Sequence, residues 1–169
     1  GSTTVYSDCF NQYYHSIFGA KTESDVVFIE LGLKYAFEVF KDINMLEMGF
    51  GTGLNALISS EVCLNSKRKV HYTGLEPFPL NLDLVGELSF DTTLFHQADW
   101  GKWIEINSYF NFIKLEIDLE NFETSNRYNL IYYDAFAPSS QPELWTQETF
   151  EKVASLTAKD GILTTYCSK

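Results

Sequence analysis

Five short apolar runs recur along the chain and constrain its fold more than any other feature. They are residues 43–48, 70–75, 112–117, 128–133 and 162–166. Helical or loop segments separate these runs, among them residues 54–63 and 146–156. Strands that alternate with helical crossovers favour a parallel sheet covered on both faces. We therefore predict an α/β fold with a mainly parallel sheet.

The residues before the first strand form a predicted amino-terminal extension. Its segment 7–40 is expected to be helical in part, with an apolar stripe through Phe28, Leu31, Tyr35 and Val39 that packs in the core. A chain of 169 residues suits one domain. We predict a single domain over 1–169, with the extension over about 1–42 and the sheet core over about 43–169.

The chain carries a formal net charge of −11. This charge disfavours nonspecific contact with phosphates, because nucleic-acid binders usually present a basic face that releases counterions. The only basic cluster is Lys67-Arg68-Lys69, just before the second strand. We predict that this cluster is a solvated loop, away from the edge of the sheet where ligands bind.

The three cysteines, Cys9, Cys63 and Cys167, are far apart and have no metal-ligand spacing. They indicate the reduced thiols of a cytosolic protein. No apolar run approaches the roughly 20 residues that cross a bilayer. We therefore predict a cytoplasmic protein without membrane contact, and the scattered histidines lead us to predict no metal site.

Acidic residues stand at the ends of the first four predicted strands. Glu47 ends the first strand, Glu76 and Pro77 follow the second, Asp118 follows the third and Asp134 follows the fourth. Ligands of parallel sheets bind at the carboxyl ends of the strands, beside the point where the strand order reverses. Four carboxylates in such places predict a ligand site at this edge.

The stretch LEMGFGTGLN, residues 46–55, places three glycines at alternate positions after the first strand. A phosphate-binding P-loop needs Gly-Lys-Ser/Thr, whereas Leu54 follows the last glycine here. A dinucleotide fingerprint needs its third glycine where Leu54 stands. What remains is an acidic residue with glycine two, four and six positions later.

This remaining pattern resembles the first motif of the class I methyltransferases that use S-adenosylmethionine, which have a Rossmann-like fold. The resemblance implies that the glycines let backbone approach the methionine and ribose parts of that cofactor, and that Glu47 favours its cationic end. It also implies that Glu76 accepts from the ribose hydroxyls and Asp118 from the adenine amine. The predicted cofactor contacts are Glu47, Gly49, Phe50, Gly51, Thr52, Gly53, Asn55, Glu76, Pro77, Asp118 and Leu119.

The fourth predicted strand and the residues that follow it resemble one family in particular. The stretches NLIYYDAFAP (residues 129–138) and QPELWT (residues 141–146) resemble the DxFAP…PE(L/M)W signature of the methyltransferase domain of the MnmC family, the tRNA 5-methylaminomethyl-2-thiouridine biosynthesis proteins. The glycine turn, Tyr14-His15-Ser16, Gly19-Ala20 with Glu23-Ser24, and residues 163–167 match the same family. The resemblance extends from about Tyr6 to Lys169.

Membership of that family implies N-methylation of the aminomethyl group of 5-aminomethyl(-2-thio)uridine at the wobble position of tRNA. It implies tRNA as a partner and allows a separate flavin-dependent oxidase that acts upstream. We predict that Asp134 is the catalytic residue, which orients the amine and stabilises the cation that forms. The candidate substrate contacts are Phe136, Pro138, Trp145, His15 and Glu23. Trp145 has an equally good alternative role, which is to pack a helix against the sheet.

Two departures from the family pattern stand out. Family members continue past the fifth strand with an arginine-bearing segment, whereas this sequence stops at Lys169, so we expect the last one or two strands to be missing. Ile117 stands where relatives tend to have glycine. An aminopropyl transferase, a small-molecule amine methyltransferase and a non-catalytic domain that binds S-adenosylmethionine stay open as alternatives, as does the oligomeric state.

Overall fold

A computed structural model describes residues 6–7, 12–13, 21–22, 24–86, 88 and 90–166. Two short strands near the amino terminus pair with each other in antiparallel fashion, and the other six form one sheet. The elements run in the order β1 (Tyr6–Ser7), β2 (Gln12–Tyr13), α1 (Ser24–Lys34), α2 (Tyr35–Val39), β3 (Ile43–Met48), α3 (Leu54–Ser66), β4 (Val70–Leu75), α4 (Leu82–Val85), α5 (Thr93–Gln97), β5 (Ile104–Asn107), β6 (Phe110–Leu115), β7 (Tyr128–Tyr133), a 3₁₀ turn (Pro142–Trp145), α6 (Gln147–Leu156) and β8 (Thr157–Thr165).

The sheet has the strand order β5-β6-β4-β3-β7-β8. All neighbouring strands are parallel except β5 and β6, which form an antiparallel hairpin. The chain moves outward from β3 through β4 to β6 on one side, and from β7 to β8 on the other. The strand order therefore reverses between β3 and β7, and the carboxyl ends of these two strands flank the crevice where such folds bind ligands.

Helices cover both faces of the sheet. One core lies between the sheet and α1, α3 and α5, and the second lies between the sheet, α6 and the loop 119–122. Because β3, β4 and β7 are covered on both sides, nearly all of their residues are buried, as expected of strands that read as continuous apolar runs. No helix in the described part of the chain is long and apolar enough to cross a membrane.

Most of the predicted strands and helices are confirmed. β3, β4 and β7 have the predicted bounds, and the predicted strand 162–166 largely coincides with the last part of β8. The predicted strand 112–117 is wrong by two residues, because the hairpin with β5 makes the sheet pairing of β6 begin at Phe110 and end at Leu115. The sequence did not predict β5, which has four residues and only partial burial.

The predicted core stripe of the amino-terminal segment is wrong apart from Phe28. Leu31, Tyr35 and Val39 are 63%, 52% and 47% exposed. The buried face instead carries Ile29 and Leu33 together with the small residues Gly32 and Ala36, which let the helix approach the sheet closely. A Cβ built on Gly32 would lie only 3.1 Å from Thr164 Cγ2. The wide i→i+5 winding of α1 also shifts which residues share a face.

Candidate active site

The glycine turn between β3 and α3 has a backbone that favours glycine. Gly49, Gly51 and Gly53 have φ values of 85°, 51° and 82°. The amides of Gly49 and Phe50 both donate to Leu75 O at 3.1 Å, which joins the turn to the end of β4. A Cβ on Gly49 would lie 2.4 Å from Asp134 O. The turn therefore packs between the ends of β4 and β7, and the amino terminus of α3 follows it directly.

Glu76 follows β4 and holds the glycine turn from the other side. Its Oε2 accepts a hydrogen bond from Gly51 N at 2.8 Å, and its Oε1 accepts one from Phe78 N at 2.9 Å. Burial raises the pKa of the carboxyl, and these two amides oppose the rise. Each oxygen keeps a further lone pair. A cleft beside Glu76 is lined by Phe50, Gly51, Glu76, Pro79, Leu80, Leu82, His96, Trp100 and Lys114.

A second polar group lies at the ends of β3 and β7, where Asn55 contacts two carboxylates. Asn55 Nδ2 donates to Glu47 Oε2 at 2.7 Å and to Asp134 Oδ2 at 3.0 Å. Asn55 Oδ1 accepts from Ser24 Oγ at 2.6 Å. The parallel pairing of Met48 with Tyr133, and the bond from Asp134 N to Met48 O at 3.0 Å, bring Asp134 beside the glycine turn. Asp134 is exposed, whereas Glu47 is fully buried.

Burial gives Glu47 an unusual electrostatic setting. Its pKa is raised well above the ordinary value, first by loss of solvent and then by the charge of Asp134. The Asn55 amide and the Tyr72 hydroxyl oppose this rise. Even so, neither Glu47 Oε1 nor Tyr72 Oη has a hydrogen-bond partner of ordinary geometry among the described residues. Glu47 is therefore not in contact with solvent, and Asn55 connects it to the exposed Asp134.

The third predicted cofactor carboxylate stands apart from this group. Asp118 lies three residues beyond the end of β6 and is partly exposed. Its Oδ1 accepts from both Asn121 N and Asn121 Nδ2 at 2.8 Å, and its Oδ2 accepts from Asn121 Nδ2 at 3.0 Å. The adjacent Leu119 is buried in the second core. Asp118 is thus fixed at the carboxyl edge, and its predicted contact with adenine stays a prediction.

The loop after β7 carries the candidate substrate contacts. Trp145 Nε1 donates to Phe136 O at 2.9 Å, and its ring packs edge-on against Tyr133 with a centroid distance of 5.5 Å. Tyr133 Oη also donates to Leu144 O. These contacts give Trp145 the packing role considered as its alternative, while Phe136 is half-buried and Pro138 is exposed. The candidate contacts His15 and Glu23 lie outside the described residues.

The residues around the crevice suit S-adenosylmethionine. Carboxylates at two strand ends can accept from ribose hydroxyls and an amine, and the glycine turn lets backbone come close. Thr52 and Pro77 lie in the loops of this edge, and their contacts with the cofactor stay predictions. Among the described residues, no group of three or more His, Cys, Asp or Glu side chains could hold a metal ion.

Sequence reasoning overlooked two polar residues that the structure brings to the site. Ser24 bonds Asn55, and the only earlier signal was its place in the family-like Glu23-Ser24 pair. Lys114, in the middle of β6, donates to His96 O at 2.6 Å and lies 4.4 Å from the Trp100 ring centroid. The sequence did not predict that Lys114 lines this cleft, because a single lysine within an apolar strand does not indicate a site. Burial lowers the pKa of Lys114.

Comparisons with known proteins find similarity to methyltransferases and to MnmC proteins. A family model described as an S-adenosyl-L-methionine-dependent methyltransferase matches residues 101–169. The chain is 28% identical over 187 residues to the tRNA 5-methylaminomethyl-2-thiouridine biosynthesis bifunctional protein MnmC of Leptospira interrogans, with 96% of this chain and 28% of that protein covered. The MnmC of Aeromonas salmonicida is 27% identical, with 98% and 29% covered. The chain thus spans less than a third of the length of these relatives.

A solved structure shows the same fold. The crystal structure of MNMC2 from Aquifex aeolicus superposes with a TM-score of 0.74 at 24% identity, and the match covers 99% of this chain and 57% of that one. The chain therefore has the Rossmann-like fold of the class I methyltransferases. The sequence relatives are more specific: over nearly all of its length the chain is similar to one part of MnmC.

Proposed function

We propose that this chain transfers a methyl group from S-adenosylmethionine to the exocyclic amine of 5-aminomethyl(-2-thio)uridine at the wobble position of tRNA, giving 5-methylaminomethyl-2-thiouridine. The observation that carries the proposal is the exposed Asp134 carboxylate, which stands beside the glycine turn and accepts from Asn55. The MnmC relatives are named for the biosynthesis of tRNA 5-methylaminomethyl-2-thiouridine, which supports this nucleoside as the product. An upstream flavin-dependent oxidase, as a separate protein, completes the proposal as the supplier of the amine.

S-adenosylmethionine supplies an electrophilic methyl group when bound. The glycine turn lets the backbone of Gly49, Gly51 and Gly53 lie against the methionine and ribose parts of the cofactor. Glu76 accepts from the ribose hydroxyls with the lone pairs that its two backbone amides leave over. Asp118 accepts from the adenine amine at the neighbouring strand end. These residues would hold the cofactor at the edge of the sheet where the end of β7 carries Asp134.

Asp134 acts on the amine of the nucleoside. If the pKa of that amine is near that of lysine, about 10.4, keeping it neutral at pH 7 costs roughly 4–5 kcal/mol. An aspartate carboxylate is generally a weak base for such a proton, because free aspartic acid is far more acidic than an alkylammonium ion. Asp134 therefore accepts a hydrogen bond from the amine, aims its lone pair, and stabilises the cation that forms as the methyl group arrives. The proton leaves to water.

The loop after β7 receives the uracil ring. Phe136 is half-buried and Pro138 is exposed, so both can offer an apolar surface to an unpaired base. Trp145 holds this loop through Phe136 O. A wobble nucleotide lies in a single-stranded loop and can be presented without opening a duplex, so an acidic protein needs fewer phosphate contacts to reach it.

The test is nucleoside mass spectrometry on tRNA that bears 5-aminomethyluridine, after incubation with S-adenosylmethionine. We expect the wild-type chain to add one methyl group to that nucleoside. Asp134→Asn keeps the shape of the side chain and is expected to slow turnover about 100-fold or more, since removal of such an electrostatic group typically costs 10²–10³. Asp42→Asn removes the same charge from an exposed position before β3, at the opposite edge, and should react like the wild type.

The outcomes separate the alternatives. Turnover of Asp134→Asn near the wild-type rate would remove Asp134 from the mechanism. Transfer to small amines but not to tRNA would favour a small-molecule amine methyltransferase. Binding of S-adenosylmethionine without transfer to any amine would favour a non-catalytic domain.

A further inference from the structure

The Asn55 side chain joins three parts of the site through hydrogen bonds. It is 5% exposed and lies in the first turn of α3, directly after the glycine turn. Its amide nitrogen bonds one buried carboxylate and one exposed carboxylate, Glu47 and Asp134. Its amide oxygen is bonded by Ser24, the first residue of α1. Three separate elements, α1, β3 and the end of β7, therefore meet at one amide.

The chemistry of the partners fixes the orientation of this amide. An ionised carboxylate only accepts hydrogen bonds, so the nitrogen of Asn55 has to face Asp134. The oxygen then points toward Ser24, whose hydroxyl can donate to it. Both N–H groups are used, one for each carboxylate, at 2.7 and 3.0 Å. The opposite orientation would place the amide oxygen against the Asp134 carboxylate, with no donor between them.

Two of the three partners of Asn55, Glu47 and Ser24, lie on elements that are held in place by packing. Glu47 lies within β3, which pairs with β4 on one side and β7 on the other. α1 carries Ser24 and packs on the sheet through Gly32, so closely that a Cβ there would lie 3.3 Å from Tyr132 Cε1. Asp134, in contrast, is exposed and follows the last residue of its strand. Asn55 thus connects two fixed partners to one carboxylate at the open edge.

We infer that Asn55 is a positioning residue, which holds the Asp134 carboxylate in the direction needed to receive the substrate amine, with Ser24 and Glu47 fixing the Asn55 amide from behind. This inference rests on the proposed function, because it gives Asp134 its role toward the amine. It differs from the sequence prediction that Asn55 contacts the cofactor, a prediction that the geometry leaves untested. Misplacement of a reacting group by about 1 Å can cost 10²-fold in rate, so the expected effect is large.

Steady-state kinetics on the tRNA substrate provide the first test. Asn55→Ala is expected to lower kcat about 30- to 100-fold, while the KM for S-adenosylmethionine changes less than about 3-fold. Ser24→Ala removes only the support behind the amide and should lower kcat by a smaller factor, about 3- to 10-fold. Ser60→Ala is the matched control: it removes a buried hydroxyl on the same helix as Asn55, whose bond goes to Leu57 O. It should leave kcat unchanged.

A double-mutant cycle separates positioning from a general structural role. If Asn55 acts through Asp134, Asn55→Ala should lower kcat by less than about 2-fold further in the Asp134→Asn background. A full additional loss in that background, or a rise in the KM for S-adenosylmethionine with unchanged kcat, would overturn the inference.

A wild-type chain that does not methylate this tRNA would refute the proposed function but not the role of Asn55. In that case crystal structures test whether Asn55 positions Asp134. Wild type, Asn55→Ala and Ser60→Ala are compared at the Asp134 side chain. The inference predicts one Asp134 carboxylate orientation in the wild type and in Ser60→Ala, and a changed or divided orientation in Asn55→Ala. An unchanged orientation in Asn55→Ala would overturn the inference whatever the substrate is.

Discussion

At the residue scale, three glycines differ in backbone conformation and in how closely other atoms approach them. Gly49 has φ 85° and a Cβ there would lie 2.4 Å from a backbone oxygen. Gly101 has φ 74°, yet nothing lies within 4 Å of its Cβ position. Gly86 has φ −64° and only an ordinary contact, at 3.5 Å. Conformation and close approach can thus be tested one at a time.

Alanine substitutions at these glycines should therefore differ in stability. Gly101→Ala is expected to cost about 1 kcal/mol, the strain of a left-handed conformation alone. Gly49→Ala adds a contact with backbone that cannot move aside, so we expect a loss above 2 kcal/mol, with disruption of the turn. Gly86→Ala should change stability by less than about 0.5 kcal/mol. Urea denaturation measures all three, and equal costs for Gly49 and Gly101 would show that the contact with Asp134 O is unimportant.

The pKa of Glu47 gives the folded protein a characteristic pH dependence. The folded-state pKa is raised, so the folded chain retains a proton that the unfolded chain loses as pH rises above the ordinary glutamate pKa of 4.5. Stability from this residue is therefore complete below that pH and is lost as pH rises toward the folded pKa. Glu47→Gln cannot ionise, so its stability relative to wild type should rise with pH from about pH 5, by up to about 1.4 kcal/mol per unit.

Chemical denaturation of wild type and Glu47→Gln from pH 5 to pH 8 measures this difference. Groups with other shifted pKa values, such as Glu76, are present in both chains and largely cancel. A difference that does not depend on pH would mean that Glu47 is ionised at ordinary cost in the folded state.

At the element scale, the basic cluster before β4 has a structural member. Arg68 donates to Phe37 O at 2.9 Å and to Phe40 O at 2.7 Å, and its guanidinium lies 4.9 Å from the Phe37 ring centroid. The expectation that all of Lys67-Arg68-Lys69 is a solvated loop is therefore wrong for Arg68. Its side chain binds carbonyls at the carboxyl end of α2, where a cation is favoured.

Arg68→Ala should destabilise the chain by about 1–3 kcal/mol, because two carbonyl contacts of a charged donor and one ring contact are lost together. Arg68→Lys should recover only part of this, since an ammonium cannot reproduce the planar fork. Lys69→Ala, an exposed neighbour, is the control and should be nearly neutral. Thermal unfolding of the four chains provides the comparison. An Arg68→Ala chain as stable as Lys69→Ala would contradict the role of this contact.

The sequence predicted the strands that are buried on both faces. It did not predict features that depend on contact with another element. β3, β4 and β7 are continuous apolar runs, and their bounds follow from that pattern alone. β5 is too short and too polar to give such a signal, and its pairing shifted the bounds of β6. The inward face of α1 depends on close approach to the sheet at Gly32, which apolar periodicity does not describe.

The candidate site also has features that the sequence predicted and features that it did not. From the sequence alone, the strand ends and the glycine motif predicted that Glu47, Glu76 and Asp134 lie at one edge of the sheet, because the carboxyl ends of parallel strands lie together. Which side chains contact one another there was not predictable. The bonds of Asn55 to two carboxylates and to Ser24 join residues up to 79 positions apart, and they depend on the packing of α1 against the sheet.

At the scale of the whole molecule, cofactor binding should stabilise the folded chain. A ligand that binds only the folded state at 100 times its Kd adds about 2.7 kcal/mol, which for a chain of this size is a rise in Tm of roughly 5–11 °C. S-adenosylhomocysteine carries the same ribose and is a suitable probe. Glu76→Gln should weaken this stabilisation, because its amide group offers one acceptor oxygen where the carboxylate offers two.

The comparison is a series of Tm values against ligand concentration. Glu143→Gln, an exposed change in the 3₁₀ turn, is the control and should follow the wild type. Glu76→Gln also loses an acceptor for Gly51 N or Phe78 N, so its Tm without ligand is expected to fall as well. The informative quantity is therefore the ligand-dependent rise of each chain from its own starting Tm. An equal rise for Glu76→Gln and wild type would remove Glu76 from the cofactor site, whereas a lost rise with a modest change in starting Tm would support its contact with the ribose.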